Sequence, residues 1–184
     1  MRTLHTPRLV LEPLLAAHAD ALYPLLADPR QLEYLDEGAP ASLEALRERY
    51  QRLESRRSAD GSEHWLNWAI VAPAIAPNAV GFVQATVLED HRAWVAYEVG
   101  HAWWGRGIAT EATAAMLEHL ELDYAVTRCL ATVDARNVRS WRLLESLGFG
   151  RAGVQETAAL DVRAGDWLYA RQRAGALAAG GATP

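Results

Sequence analysis

The chain has 184 residues, enough for one substantial hydrophobic core and short for two domains. Its 18 basic and 23 acidic residues give a formal net charge of −5 with no basic run, which argues against a nucleic-acid partner. The single cysteine, Cys129, excludes disulfides within the chain and, set in an apolar run, reads as a small buried hydrophobe.

Taken in order, the start from Met1 to Arg8 lacks the apolar core of a signal peptide, and no apolar run approaches membrane-spanning length. A cytoplasmic protein without a membrane partner is expected. Arg8-Leu9-Val10-Leu11-Glu12-Pro13 alternates and stops at proline, which predicts a first strand. Leu15, Ala19, Leu22 and Leu26 form a helical stripe within residues 15–27, closed by Asp28-Pro29. Residues 31–40 have no period, and a loop between two N-terminal helices is a suitable substrate wall. A second helix starts at Ser42 as N-cap, with Glu44 at the positive end of the dipole and Ala45 where a capping-box glutamate would stand.

After Ser58-Ala59-Asp60-Gly61 the period shortens. Residues 67–71 and 80–87 read as the strands of an antiparallel hairpin, and Trp94, Val95, Tyr97 and Val99 give another strand ending at Gly100. Ile108, Ala112, Ala115, Met116 and Leu120 recur at helical spacing, with Glu111, Glu118 and Glu121 falling elsewhere. Residues 128–134 predict the next strand, and strand, helix, strand implies a parallel pair with a crossover. A helix then runs through Trp141, Leu144 and Leu147 to Gly148, which suits a left-handed C′ position, with Phe149 as the hydrophobic contact after it. Two last strands are predicted at residues 154–162 and 167–171, joined at Ala164-Gly165-Asp166. Residues 174–184 are low in complexity and read as a disordered tail, which leaves 1–173 as the single domain.

The most informative stretch is the loop after Gly100. Gly105 and Gly107 carry no Cβ, so a ligand can approach the backbone, and the unpaired amides at the start of the following helix add partial positive charge. Backbone amides from Gly105, Arg106, Gly107, Ile108, Ala109 and Thr110 therefore suggest a cradle for a phosphate-bearing ligand. A P-loop would need Lys followed by Ser or Thr after the second glycine, and a dinucleotide fingerprint would need a third small residue where Thr110 stands.

The predicted order is strand, two helices, three strands, helix, strand, helix, two strands. With Trp104-Gly105-Arg106-Gly107-Ile108-Ala109 at the fourth strand-to-helix junction, it resembles the GNAT superfamily of acyl-CoA-dependent N-acetyltransferases. The family pattern at this place is Q/R-x-x-G-x-G/A, and the chain keeps Gly107 and Ala109 but has Trp104 first. Trp-Gly-Arg-Gly-Ile-Ala-Thr-Glu-Ala and Thr6-Pro7-Arg8-Leu9-Val10-Leu11 are similar to the branch of ribosomal-protein N-terminal acetyltransferases. Asn137, Ser140 and Gly148-Phe149 answer the second family signature. The resemblance spans about residues 6 to 172. It implies an α+β GNAT fold: one domain with a mixed central sheet of about seven strands and a V-shaped splay between the fourth and fifth.

The resemblance also implies acetyl-CoA as cosubstrate, no metal, and direct attack of a bound primary amine on the thioester. The loop becomes the pyrophosphate cradle, with the Arg106 charge near the phosphates. A free backbone N–H at Val99 or Gly100 would face the thioester carbonyl, and Asn137 would contact the pantetheine arm, a role compatible with its also being an ordinary N-cap. Glu98 is the nominee for general base, with solvent exposure or a structural ion pair as the other readings; His101 is its rival. Ser140 is the nominee for the donor to the leaving sulfur, because the tyrosine many family members use further along that helix is Leu144 here. The favoured acceptor is a protein or peptide N-terminal α-amine. A small-molecule amine and a non-catalytic acyl-CoA-binding or sensing module are the alternatives, and a homodimer is left open. Of the seven tryptophans most should be core, with Trp103 and Trp104 as weaker suggestions for the acceptor wall.

Overall fold

In the computed structural model residues 1–34 and 38–173 are described. The tail of residues 174–184, expected to be disordered, lies outside them. An eight-stranded sheet runs β1 (Leu4–His5), β2 (Val10–Pro13), β3 (His64–Val71), β4 (Ala79–Val87), β5 (Arg92–Val99), β6 (Arg128–Asp134), then β8 (Asp166–Gln172) and β7 (Gly150–Arg151) at the edge. Every neighbouring pair is antiparallel except β5 and β6. Helices α1 (Ala19–Leu26) and α2 (Leu43–Leu53) precede the hairpin β3–β4, α3 (Ile108–Asp123) is the crossover between β5 and β6, and α4 (Val138–Ser146) and α5 (Val154–Ala159) follow.

The two faces of the sheet carry separate cores. Along β3 consecutive residues point to opposite sides, so Trp68 and Ile70 join the core that holds Ile108, Met116 and Leu120 of α3, while Ala69 joins Leu22 of α1 and Leu46 and Tyr50 of α2. Covering both faces buries β3 from Leu66 to Ile70, a stretch that is apolar except for Asn67.

The helix ends are set by local chemistry. Ser42 Oγ accepts from the amide of Ala45 at 3.0 Å and starts α2 as expected. At the end of α4 Gly148 has φ 82°, its amide donates to the Glu145 carbonyl, and the amide of Phe149 donates to the Leu144 carbonyl, a Schellman closure over the buried Phe149.

Three expectations need correction. Residues 154–162 do not form a strand: Val154 opens α5 with its side chain 87% exposed, and the run Gln155-Glu156-Thr157-Ala158-Ala159 follows its helix propensity. The place beside β8 is filled instead by Gly150 and Arg151, directly after Phe149. The sheet also has eight strands rather than seven, because Leu4 and His5 pair with Leu11 and Val10 ahead of the predicted first strand. That strand itself begins only at Val10, since the segment from Thr6 to Leu9 is a turn closed by the Thr6 amide on the Leu9 carbonyl.

The feature that positions the site is the parting of β5 from β6. They pair only from Arg92, Ala93 and Trp94 to Arg128, Cys129 and Leu130. Beyond that point β5 continues with β4 as far as Val99 opposite Gly81, and β6 continues with β8 as far as Asp134 opposite Asp166. A wedge-shaped gap opens, the splay the resemblance implies.

Gly81 keeps β4 close to the end of β5. A Cβ there would stand 2.2 Å from the Glu98 carbonyl oxygen and 2.8 Å from Val99 Cα. Gly81→Ala is expected to destabilise the fold by about 2 kcal/mol or more, lowering Tm by roughly 5 °C in thermal unfolding followed by circular dichroism.

Candidate active site

At the mouth of the gap, β5 passes through Gly100 and a 3-10 turn (His101–Trp103) into the loop that starts α3. Gly105 and Gly107 both have φ 73°, in the left-handed region where a side chain would be strained. The first backbone bond of α3 runs from the Glu111 amide to the Gly107 carbonyl at 3.0 Å. The helix therefore takes none of the amides of Ile108, Ala109 and Thr110, which head a 16-residue dipole. This cradle suits a polyanion such as a pyrophosphate.

The loop is braced from the N-terminal arm. The Glu111 carboxylate accepts from Thr6 Oγ1 at 2.5 Å, from the Arg8 amide at 3.0 Å and from Arg8 Nε at 2.6 Å, while Arg8 Nη1 donates to the Arg106 carbonyl at 3.0 Å. Partial burial pushes the Glu111 carboxyl up, but the bonds from Thr6 and Arg8 outweigh it and hold it below its ordinary value. Arg106 lies with its guanidinium 5.2 Å from the centre of the Trp103 ring. A Cβ on Gly107 would meet Arg8 Nη2 at 3.3 Å, so brace and cradle are fitted to each other.

On the gap side of β5 the backbone alternates. The Gly100 amide is spent on the Val80 carbonyl at 2.9 Å, which turns the N–H and C=O of Val99 toward the edge that β6 has left. The Val99 carbonyl accepts from Trp104 Nε1 at 2.6 Å and from Gln31 Nε2 at 3.1 Å. Of the two expected positions for a free amide, Gly100 is thus occupied and Val99 has the right direction.

Glu98 is half-buried, and its side-chain hydrogen bond comes from a glutamine: Gln31 Nε2 donates to its Oε1 at 3.1 Å. Burial raises the Glu98 pKa above the ordinary carboxylate value, opposed by the Gln31 bond and the charge of Arg49. Tyr50 lies nearby with a buried phenol, its pKa raised chiefly by burial. Gln31 leads into a 3-10 turn (Leu32–Tyr34), and the Tyr34 ring lies 5.8 Å beneath the Arg136 guanidinium, so Gln31 and Tyr34 stand on this side of the gap.

Across the gap stands the start of α4. Asn137 Oδ1 caps it by accepting from the Ser140 amide at 3.1 Å. Ser140 Oγ is 2.8 Å from the Tyr97 hydroxyl, which also donates to the Ser140 carbonyl at 2.9 Å. Leu144 is buried in the core. The Arg139 guanidinium lies 4.2 Å from the centre of the Trp104 ring, and His101 meets the same ring edge-on at 4.7 Å. Trp104 therefore joins three parts of the site: the end of β5, the loop and α4.

A family profile for the acetyltransferase (GNAT) domain matches residues 8–150. The chain belongs to the GNAT acetyltransferase family. It is 27% identical over 154 residues to the uncharacterized N-acetyltransferase p20 of Bacillus licheniformis, covering 84% of this chain and 85% of that one. It is 32% identical over 63 residues to the ribosomal protein uS5 alanine N-acetyltransferase of Escherichia coli, a match covering 34% of this chain and 32% of that enzyme. By fold it is similar to RimL, a ribosomal L7/L12 alpha-N-protein acetyltransferase solved in complex with coenzyme A, with TM-score 0.74, 19% identity and 92% and 97% of the two chains covered. A GNAT acetyltransferase from Bacillus anthracis gives TM-score 0.73 at 18% identity, covering 92% and 98%.

As a GNAT enzyme the chain is an N-acetyltransferase, and its family uses acetyl-CoA. Among the described residues no group of three or more His, Cys, Asp or Glu side chains converges to hold a metal ion, and no helix is long and apolar enough to cross a membrane. The structure gathers Glu98, Val99, Gly100, the loop from Gly105 to Thr110, Asn137 and Ser140 around one gap. Three participants do not stand out in the sequence: Tyr97, Gln31 and the Thr6–Arg8–Glu111 brace. The Thr6-Pro7-Arg8-Leu9 motif is visible there, but nothing near it points to Glu111, which the helical pattern leaves off the packed face.

Replacing Glu111 with Ala removes the brace while leaving the cradle residues in place. The expected outcome is an acetyl-CoA KM raised about tenfold, roughly 1.4 kcal/mol, with kcat changed less, measured by thiol release at saturating acceptor.

Proposed function

We propose that this protein transfers acetyl from acetyl-CoA to the α-amine of a protein or peptide N-terminus, by direct attack within a ternary complex. The observation that carries this reading is the gap between β5 and β6, which has an amide cradle at its mouth, the Val99 N–H along one edge and Glu98 beside it. The cradle residues hold the pyrophosphate. The Val99 amide donates to the thioester oxygen as negative charge develops there, and Glu98 accepts the proton of the attacking amine directly or through water. The amine's lone pair forms the new C–N bond, the C–S pair leaves with sulfur, and Ser140 donates a hydrogen bond to that sulfur.

The acceptor is suggested by how little base assistance the site offers. At pH 7.5 about a quarter or more of an α-amine of reference pKa ~7.7–8.0 is neutral, against about one lysine in a thousand. One half-buried carboxylate is enough for the former. The local similarity to an alanine N-acetyltransferase and the fold of RimL support the same acceptor class.

Thiol release from acetyl-CoA with a panel of N-terminal peptides, lysine-containing peptides blocked at the N-terminus and small amines tests the assignment. Free N-terminal peptides should give the highest kcat/KM; a preference for a small amine would move the protein to small-molecule acetylation.

Glu98 has its own pH signature. Because its pKa is raised, wild-type kcat/KM should fall as pH drops through that value, which lies above the ordinary carboxylate range. Glu98→Gln should lose most activity below about pH 8, where the amine is still protonated, and approach wild type as the amine deprotonates by itself. A ratio independent of pH would remove Glu98 from proton transfer.

A further inference from the structure

The leaving-group side of the gap lacks the phenol that the resemblance implies, because the helix position is Leu144, 1% exposed in the core. A phenol is nevertheless present on the facing strand. Tyr97 stands on the part of β5 that β6 has left, and its hydroxyl crosses the gap to Ser140, 2.8 Å from Oγ and 2.9 Å from the carbonyl oxygen. We propose that Tyr97 is a positioning residue for the leaving group, holding Ser140 Oγ so that the serine proton points at the departing sulfur.

The balance of donors and acceptors gives the mechanism. The two hydroxyls carry one proton each, and both can accept. When Tyr97 donates to the Ser140 carbonyl, Ser140 donates back to Tyr97 and its proton is spent inside the protein. When Tyr97 donates to Ser140 Oγ, the serine proton is released toward the gap. The carbonyl keeps its helical partner, the amide four residues on, so no buried group is stranded by the switch. An electron-rich sulfur arriving in the gap selects the second arrangement. Tyr97 then polarises the serine O–H and strengthens its donation.

No net proton leaves Tyr97. The C–S electron pair goes to sulfur, the Ser140 O–H bonds to the resulting thiolate, and the amine proton goes to Glu98. Burial pushes the Tyr97 phenol up to about 12, with the bond to Ser140 opposing, so the phenol is a neutral donor at working pH. The inference rests on the reading of Ser140 given above.

The test compares wild type, Tyr97→Phe, Ser140→Ala and the double variant, by thiol release with the best amine of the panel or, where none turns over, by slow acetyl-CoA hydrolysis, which breaks the same C–S bond. Tyr97→Phe should lower kcat about tenfold with the acetyl-CoA KM within about twofold, and should add nothing to Ser140→Ala, the coupling expected of two groups acting as one. A fluorinated tyrosine at position 97, with a more acidic phenol of the same shape, should move the alkaline limb of kcat to lower pH, because a phenolate cannot donate. Full additivity of the two substitutions, or an unmoved alkaline limb, would reduce Tyr97 to packing. Ser140→Ala at wild-type speed would remove the serine reading first and the Tyr97 inference with it.

Discussion

Everything at this site depends on β5 and β6 separating after three residue pairs. A strand edge opened inside a protein leaves N–H and C=O groups that water cannot freely satisfy, and each must find a partner or be used. The Val99 carbonyl finds two, the Trp104 indole and the Gln31 amide. The Val99 amide points the same way and is the group the proposed function uses for chemistry. The gap is thus a sheet defect, and the Val99 carbonyl on its edge has been re-satisfied by side chains from elsewhere in the chain.

The side chains that line the gap come from distant parts of the sequence. Gln31 reaches in from the segment between α1 and α2, while Asn137, Arg139 and Ser140 enter from α4. The Tyr34–Arg136 and Trp104–Arg139 contacts bring the two sides within reach of each other. On the proposed function, a cosubstrate lies along the gap with its phosphates on α3 while the acceptor approaches past Glu98.

The elements are largely legible in the sequence because their determinants are local. Ser42 caps α2 through a bond to Ala45, Asn137 caps α4 through a bond to Ser140, and Gly148 closes α4 within five residues, so each signal sits inside a short window. The contacts that furnish the site span 43 residues for Tyr97 and Ser140, 67 for Gln31 and Glu98, and 105 for Thr6 and Glu111, and no periodicity carries such pairings. The strand expected at residues 154–162 fails for a different reason. Val154 and Thr157 look β-friendly, yet the pairing position on β8 is already taken by the two residues after Phe149, and Gln155, Glu156, Ala158 and Ala159 of the same run favour the helix that forms.

The brace on the cradle also bears on the order of assembly. The loop proposed to receive the phosphates is short and glycine-rich, with little of its own to hold two left-handed residues in place. Its shape is fixed by a carboxylate reaching back 105 residues to Thr6, and by a guanidinium from the same arm on the Arg106 carbonyl. Such a contact carries a large loop-closure cost and forms only once the sheet has brought β1 and β2 alongside α3. The cradle is therefore a report on completed folding: a chain whose N-terminal arm has not docked has the residues of a binding site without its geometry.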